Sequence, residues 1–327
     1  MRTNSHPLSF ADFSIRKRKQ TRTGIFLQRA NSVINWNFAN EIHEILYRNE
    51  LWRKPYDTII KLKIILLQKW FWLSDSKAEE EIYDKSSFQE FLYLSSDDDI
   101  PDETTICRFR KLLIEHKLED FLFNEIDRQI EANDLKITTG KIVDATITET
   151  PKWRKKDDGS NTRDKEAWFT KKNWRSYHGY KGHVSTDLNW NFIQKTFTSS
   201  ATDHDSKHED KVTDWNEKAL FKDSAYVNKE QKRQMREQWR YYWVVERAVR
   251  WHPLSTKQKK RNRKNSSIRV KWEHPFAEIK CRMKYVARYV WLEKNAFDFK
   301  LVATAYNLKR MIWMFFRAQK QAVVIIT

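Results

Sequence analysis

Glycine is almost missing from this chain, with five residues in 327. Average usage of about 7% would supply roughly 23, so the turns have to be built from Asn, Asp and Ser. Cysteine is scarcer still. Cys107 and Cys281 are too far apart in sequence to form a motif, which argues against a disulfide framework and a thiolate zinc site and fits a reducing compartment. No apolar run approaches the ~18 residues of a membrane span. The opening stretch MRTNSHPLSF lacks the apolar core of a secretion signal. The expectation is a soluble cytoplasmic protein with no membrane partner.

What the chain does have is size, aromatics and positive charge. Its length allows one large core plus a smaller domain. Hydrophobic residues make up 40% and aromatics 14%, including 15 Trp, so it should fold. Lys and Arg number 62 against 44 Asp and Glu, a net charge of +18. A balance this basic points to a polyanionic partner. The charge is unevenly placed: residues 75–103 carry eleven acids and two bases, a net −9, which leaves +27 for the rest.

In chain order, residues 1–25 read as a basic arm and 26–134 as a helical domain. IIKLKIILLQKWFWL, residues 59–73, is apolar at helical spacing and central to a small bundle. Asp102 or Thr104 can cap a helix running to His116, with Ile106, Phe109 and Leu113 inward and Arg108 and Lys111 outward. That helix is either a packing element or the recognition helix of a helix-turn-helix, in which case Arg108 meets DNA. Residues 135–317 read as a second, α/β domain, and 318–327 as an apolar tail.

Within the second domain, KIVDATITET is a β-branched strand with Asp144 in its middle. An acid in an apolar strand is costly unless it is paired, binds metal or faces solvent from an edge. Residues 150–176 form a polar insertion with Trp153, Trp168 and Trp174, either pinned to the domain by those rings or offering them to unstacked bases. A hairpin follows, then a helix over 204–219 whose histidines are polar surface residues and whose N-cap is Asp205. ALFKDSAY is a short strand ending at Asp223, either a turn-former or an acid at the carboxyl end of a strand, where ligand sites gather. A strand at 239–247 leads into the basic segment 252–271. There Lys259, Lys260, Arg261, Arg263 and Lys264 belong to a run of eight cations with no acid. It reads as a DNA-contacting segment, or as a solvated loop.

The segment ends in RVKWEHPFAEIKCRMK. Here Glu273 is a lone acid among cations, four residues after Arg269 and seven before Lys280, which are helical same-face spacings. Pro275 requires the helix to begin close to Trp272, so Arg269 can precede it. The plain alternative is a surface ion pair. Taken together, Asp144, Asp223 and Glu273 can converge from two strands and a helix at the edge of a mixed sheet. Three carboxylates can hold two Mg²⁺ or Mn²⁺ ions ~3.5–4 Å apart for in-line phosphoryl displacement.

These stretches, with PLSFADF, LLQKWFWLSD, SSDDDIPDETTICRFRKLLIEH and KDSAY, resemble the DDE transposases of bacterial insertion sequences, in the insertion-sequence-five group. The last motif is similar to that family's R-x3-E-x6-K signature, filled by Arg269, Glu273 and Lys280. The resemblance implies an RNase H-like mixed sheet flanked by helices behind an all-helical N-terminal domain. It implies Asp144, Asp223 and Glu273 as catalytic, metal-holding acids, with Lys280 on DNA near the cut. It also implies a transposase that cleaves its element's ends and joins the 3′ ends to target DNA, as a homo-oligomer on double-stranded terminal repeats. Two positions depart from the pattern: Ser266 stands where Tyr is common, and Ala225 where Gly is usual. The scarce glycines also fit a decayed or repurposed DNA-binding protein, and the interleaved aromatics and cations an RNA-binding one.

Overall fold

Asp57 accepts the Ile59 N–H at 2.8 Å and starts a deeply buried helix. The computed structural model describes residues 21–48, 55–95, 97–135, 140–151, 157, 163–172, 174–214, 217–222, 229–246, 248, 251–270 and 273–326. The chain forms two compact units, Met1–Leu118 with Ile312–Thr327, and Glu119–Met311. Among the described residues no helix is long and apolar enough to cross a membrane.

The first unit contains α1 (Arg22–Val33), α2 (Phe38–Tyr47), α3 (Thr58–Phe71), α4 (Asp75–Asp84), α5 (Ser86–Leu92) and α6 (Glu103–Glu115). The expected arm lies mostly outside the described residues, and its last positions already belong to α1. α3 is buried almost all round, through Leu62, Ile64, Ile65, Leu67 and Trp70, and the burial takes in Lys61, Lys63 and Gln68 as well. Burying Phe88, Phe91 and Phe109 beside it contributes roughly 1.5–3 kcal/mol each. α6 starts where expected, with Asp102 accepting the Thr105 N–H at 2.7 Å. Ile106, Phe109 and Leu113 face inward, and Arg108 is exposed. Not foreseen was buried Arg110, which bonds Gln68 Oε1 at 3.0 Å and Asp75 of α4. Burial pushes the Asp75 carboxyl up, but the Arg110 hydrogen bond and charge outweigh it and hold that carboxyl below its usual range.

Lys63, on α3, is another buried cation. Its Nζ donates to Phe91 O at 2.8 Å and lies 3.7 Å from the centre of the Tyr93 ring. Burial lowers its ammonium from 10.5 to about 7, against the raising pull of Asp57. The unfolded chain keeps that proton up to about pH 10.5. Between pH 7 and 10 the unfolded state therefore binds more protons, and stability rises with pH. From pH 7 to 9 the gain should be about 2 kcal/mol by denaturant titration. Lys63→Met should flatten that rise; an equal slope in the variant would discard the assignment.

In the second unit, α7 (Glu119–Ala132) precedes a six-stranded sheet of β1 (Lys141–Glu149), β2 (Trp168–Lys172), β3 (Arg175–Asp187), β4 (Ile193–Ser200), β5 (Ala219–Lys222) and β6 (Tyr241–Val244). β3 pairs antiparallel with β1, β2 and β4, whereas β1, β5 and β6 run parallel in that order. The helices α8 (Glu209–Val212), α9 (Lys229–Glu237), α10 (Thr256–Val270), α11 (Glu273–Ala277) and the part of α12 (Leu292–Ile326) up to Met311 complete it. This is the expected mixed sheet flanked by helices. Strand alternation divides its core. Val143 and Leu220 pack with Val212 of α8 and Met235 of α9, while Ile142, Phe221 and Trp243 form a separate cluster. Phe299 of α12 crosses so close to β3 that a Cβ on Gly182 would fall 2.4 Å from its ring. Asn307 of the same helix brackets Ile193, accepting its N–H at 2.9 Å and donating to its carbonyl at 2.7 Å.

Four local expectations change. The insertion 150–176 contains β2, and Asp164 anchors it, accepting the Tyr180 hydroxyl at 2.5 Å and the Trp291 N–H at 3.1 Å. Trp168 and Trp174 are exposed, so neither ring pins it, and Trp153 lies outside the described residues. The helix expected over 204–219 is a 3₁₀ turn, Asp205–His208, followed by α8, ending at Val212. Its N-cap is His204 rather than Asp205. His208 is half-buried, bonded to Asp203 at 3.0 Å and tilted against buried His183, so it is no plain surface group. The basic segment is not a loop but α10. Last, α12 runs on through Ile326, so helical backbone replaces the separate tail.

Candidate active site and nucleic-acid interface

Asp144 sits mid-strand in β1, half-buried and opposite Val184 of β3. Its Oδ1 accepts the Ala145 N–H at 2.8 Å. On the other side of β1, the parallel ladder with β5 pairs Lys141 with Leu220, Ile142 with Phe221 and Val143 with Lys222. Asp144 and Asp223 are thus the residues that follow the same ladder pair in their two segments. Asp223 itself lies outside the described residues.

Glu273 opens α11, and Pro275 stands in its first turn, where a helix needs no N–H from it. The Glu273 and Arg269 side chains lie outside the description. The backbone after Glu273 is tied to β1 and α12. Ala287 N–H donates to Glu149 O, the last residue of β1, at 3.1 Å. Buried Glu278 holds Lys309 of α12 at 2.7 Å and Arg282 at 3.0 Å. Residues 271 and 272, between Arg269 and Glu273, lie outside the described residues. Arg269 belongs to α10, and α11 gives way at Glu278 to a π-turn, Glu278–Arg282, which contains exposed Lys280. The wider π-turn shifts the 3.6-residue count on which the shared face of Glu273 and Lys280 rested.

α10 has a local cause that the sequence carried unread. Ser255 and Gln258 form a capping box: Ser255 N–H donates to Gln258 Oε1 at 2.8 Å, and Gln258 N–H to Ser255 Oγ at 3.3 Å. Half-buried Asn262 fixes the helix on the end of β6, donating to Glu246 O at 2.9 Å. Arg261 is committed to the Glu246 carboxylate, so it leaves the set of expected DNA ligands. At 100° per residue, Lys259, Lys260, Arg263 and Lys264 then form one exposed stripe away from Gln258 and Asn262. Arg108, by contrast, lies in the first unit.

Among the described residues no three carboxylate, imidazole or thiol groups gather as metal ligands. Two of the three expected acids have side chains outside that description. Missed from the sequence was a buried ion pair, Lys222 at the end of β5 with Glu209 of α8. Burial lowers the Lys222 ammonium from 10.5 to about 6.

No solved structure matches the chain. Residues 14–112 match the family described as Transposase domain (DUF772). Residues 136–308, just over half of the chain, match the Transposase DDE domain family and span every strand, the β1–β5 ladder and α11. A mixed sheet with an acid in its central strand, a helical N-terminal region and both matches agree: this chain belongs to the DDE transposases of insertion sequences.

Proposed function

We propose that this transposase, of the insertion-sequence-five group, cleaves the ends of its own element and joins the freed 3′ ends to target DNA. Asp144, Asp223 and Glu273 are the acids that hold its divalent cations. The observation that carries this is the Val143–Lys222 ladder pair, which makes the first two acids successors of one register position. The Ala287–Glu149 bond, tying the segment after Glu273 to the same strand, supports the third. An all-carboxylate donor set on a half-buried strand suits Mg²⁺ or Mn²⁺. Bound there, the cations would supply Lewis-acid stabilisation of the in-line displacement. The chain's own residues position the DNA: Lys280 and Arg269 near the cut, and the α10 stripe along the phosphates. The setting is the bacterial cytoplasm, as a homo-oligomer on paired terminal repeats.

Incubated with Mg²⁺ or Mn²⁺ and DNA carrying its terminal repeats, the protein should nick at the repeat ends and leave 3′ hydroxyls. Specific end binding without nicking under either metal would instead establish a DNA-binding protein without catalysis. Ten described non-glycine residues in left-handed backbone, signs of a chain under strain, favour that second reading.

The stripe predicts a salt effect. Each phosphate neutralised adds about 0.9 to the slope of log affinity against log salt. Replacing Lys259, Lys260, Arg263 and Lys264 with Gln should lower that slope by about 3 to 4 in a filter-binding titration. Arg261→Gln should change it by less than one unit. An unchanged slope in the fourfold variant would remove α10 from the interface.

A further inference from the structure

We propose that the buried Lys222–Glu209 pair is a register lock that positions the second acid; this rests on the proposed function, because it concerns where Asp223 falls. β5 has four residues and meets β1 in three pairs. Ala219 and Phe221 face one side and Leu220 and Lys222 the other. A slip of two residues keeps every side chain on its own face, so the alternation of faces by itself does not distinguish the native register from its neighbours. At about 3.3 Å per residue, such a slip moves the end of β5 by roughly 6.6 Å. A shift of that size would carry the acid that follows β5 out of reach of any cation it shared with Asp144.

Directional chemistry supplies what packing lacks. Lys222 is 0% exposed and Glu209 2%. The Lys222 ammonium meets the Glu209 carboxylate and lies 4.9 Å from the centre of the Tyr242 ring on β6. With its amide rotated, Gln231 of α9 donates to Glu209 Oε2 at 3.0 Å. The last residue of β5 is thereby tied to α8, to α9 through Glu209, and to the next strand. In a two-residue slip, Lys222 would leave Glu209 and bury a charge without its partner, which is strongly unfavourable. The pair faces the side of the sheet opposite Asp144, because Lys222 shares its face with Val143. It therefore acts on the acids through the backbone and not by touching DNA or cation.

The test separates register from stability. Lys222→Leu with Glu209→Leu replaces the pair by apolar packing, so the melting temperature should hold or rise. Even so, amide exchange at 219–222 should quicken at least tenfold, and the Mn²⁺ concentration giving half-maximal nicking should rise at least tenfold. Reversing the pair, Lys222→Glu with Glu209→Lys, should restore both readouts if the reversed variant melts as the wild type does. Exchange at 219–222 as slow in the double-Leu variant as in the wild type overturns the lock. Absence of nicking by the wild type would sink the proposed function and leave the exchange comparison to decide the register.

Discussion

Asp144→Ala should lower metal-dependent nicking by about 10³-fold or more, equivalent to roughly 4 kcal/mol at the barrier. Asp144→Asn should lose nearly as much, since an amide keeps the shape and loses the charge that holds a divalent cation. Neither change should unfold the protein. Asp144 is half-buried in a strand secured on both edges, by β3 over nine pairs and by β5 over three. A melting temperature within a few degrees of wild type, with end binding retained, is the expected companion result. Equal nicking by wild type and Asp144→Ala would end the assignment of this residue as a catalytic acid. Loss of binding together with nicking would point to a folding defect, which the melting curve would show.

The second large effect is a gain. Trp72, Trp174, Trp239, Trp251 and Trp291 have φ between 56° and 84°, where a side chain meets its own backbone and glycine does not. All five are exposed, Trp174 and Trp239 almost completely at 103% and 98%. Trp72 and Trp239 each follow a helix, the position where glycine commonly ends one. The strain is about 1–2 kcal/mol per residue, and glycine's looser unfolded chain returns ~0.4–1 of it. Converting all five to Gly should therefore stabilise the protein by about 3 kcal/mol in sum, read as a rise of several degrees in melting temperature. Trp174→Gly with Trp239→Gly is the cleanest pair, because those rings lose the least packing. A fall in melting temperature for that pair would mean that the rings hold contacts worth more than the strain. The scarcity of glycine thus has a structural counterpart, since the backbone still takes the conformations that glycine would relieve.

Much of the first unit was legible because its signals are local. Asp102 caps α6 through its own side chain, and Ile106, Phe109 and Leu113 recur at helical spacing. The apolar residues of α3 recur at helical spacing, which marked it as a central helix of that unit. In the second unit, the β-branched run around Asp144 and the alternating stretches of β3 and β4 showed themselves as strands. The capping box of Ser255 and Gln258 was equally local, and it went unread because the charge of the segment suggested a loop.

The sequence by itself determined the helical first unit, the strands of the second, the basic surplus and the three acids worth weighing. Only the tertiary structure decided that Val143 pairs with Lys222, that Ala287 returns to Glu149, that Arg261 is taken by Glu246, and that Glu209 lies under the end of β5. Caps and periodicity join residues a few positions apart, so their energetics are written within one short window. Ladder register and buried ion pairs join residues far apart in the chain. Their partners are chosen only when the whole core closes around them.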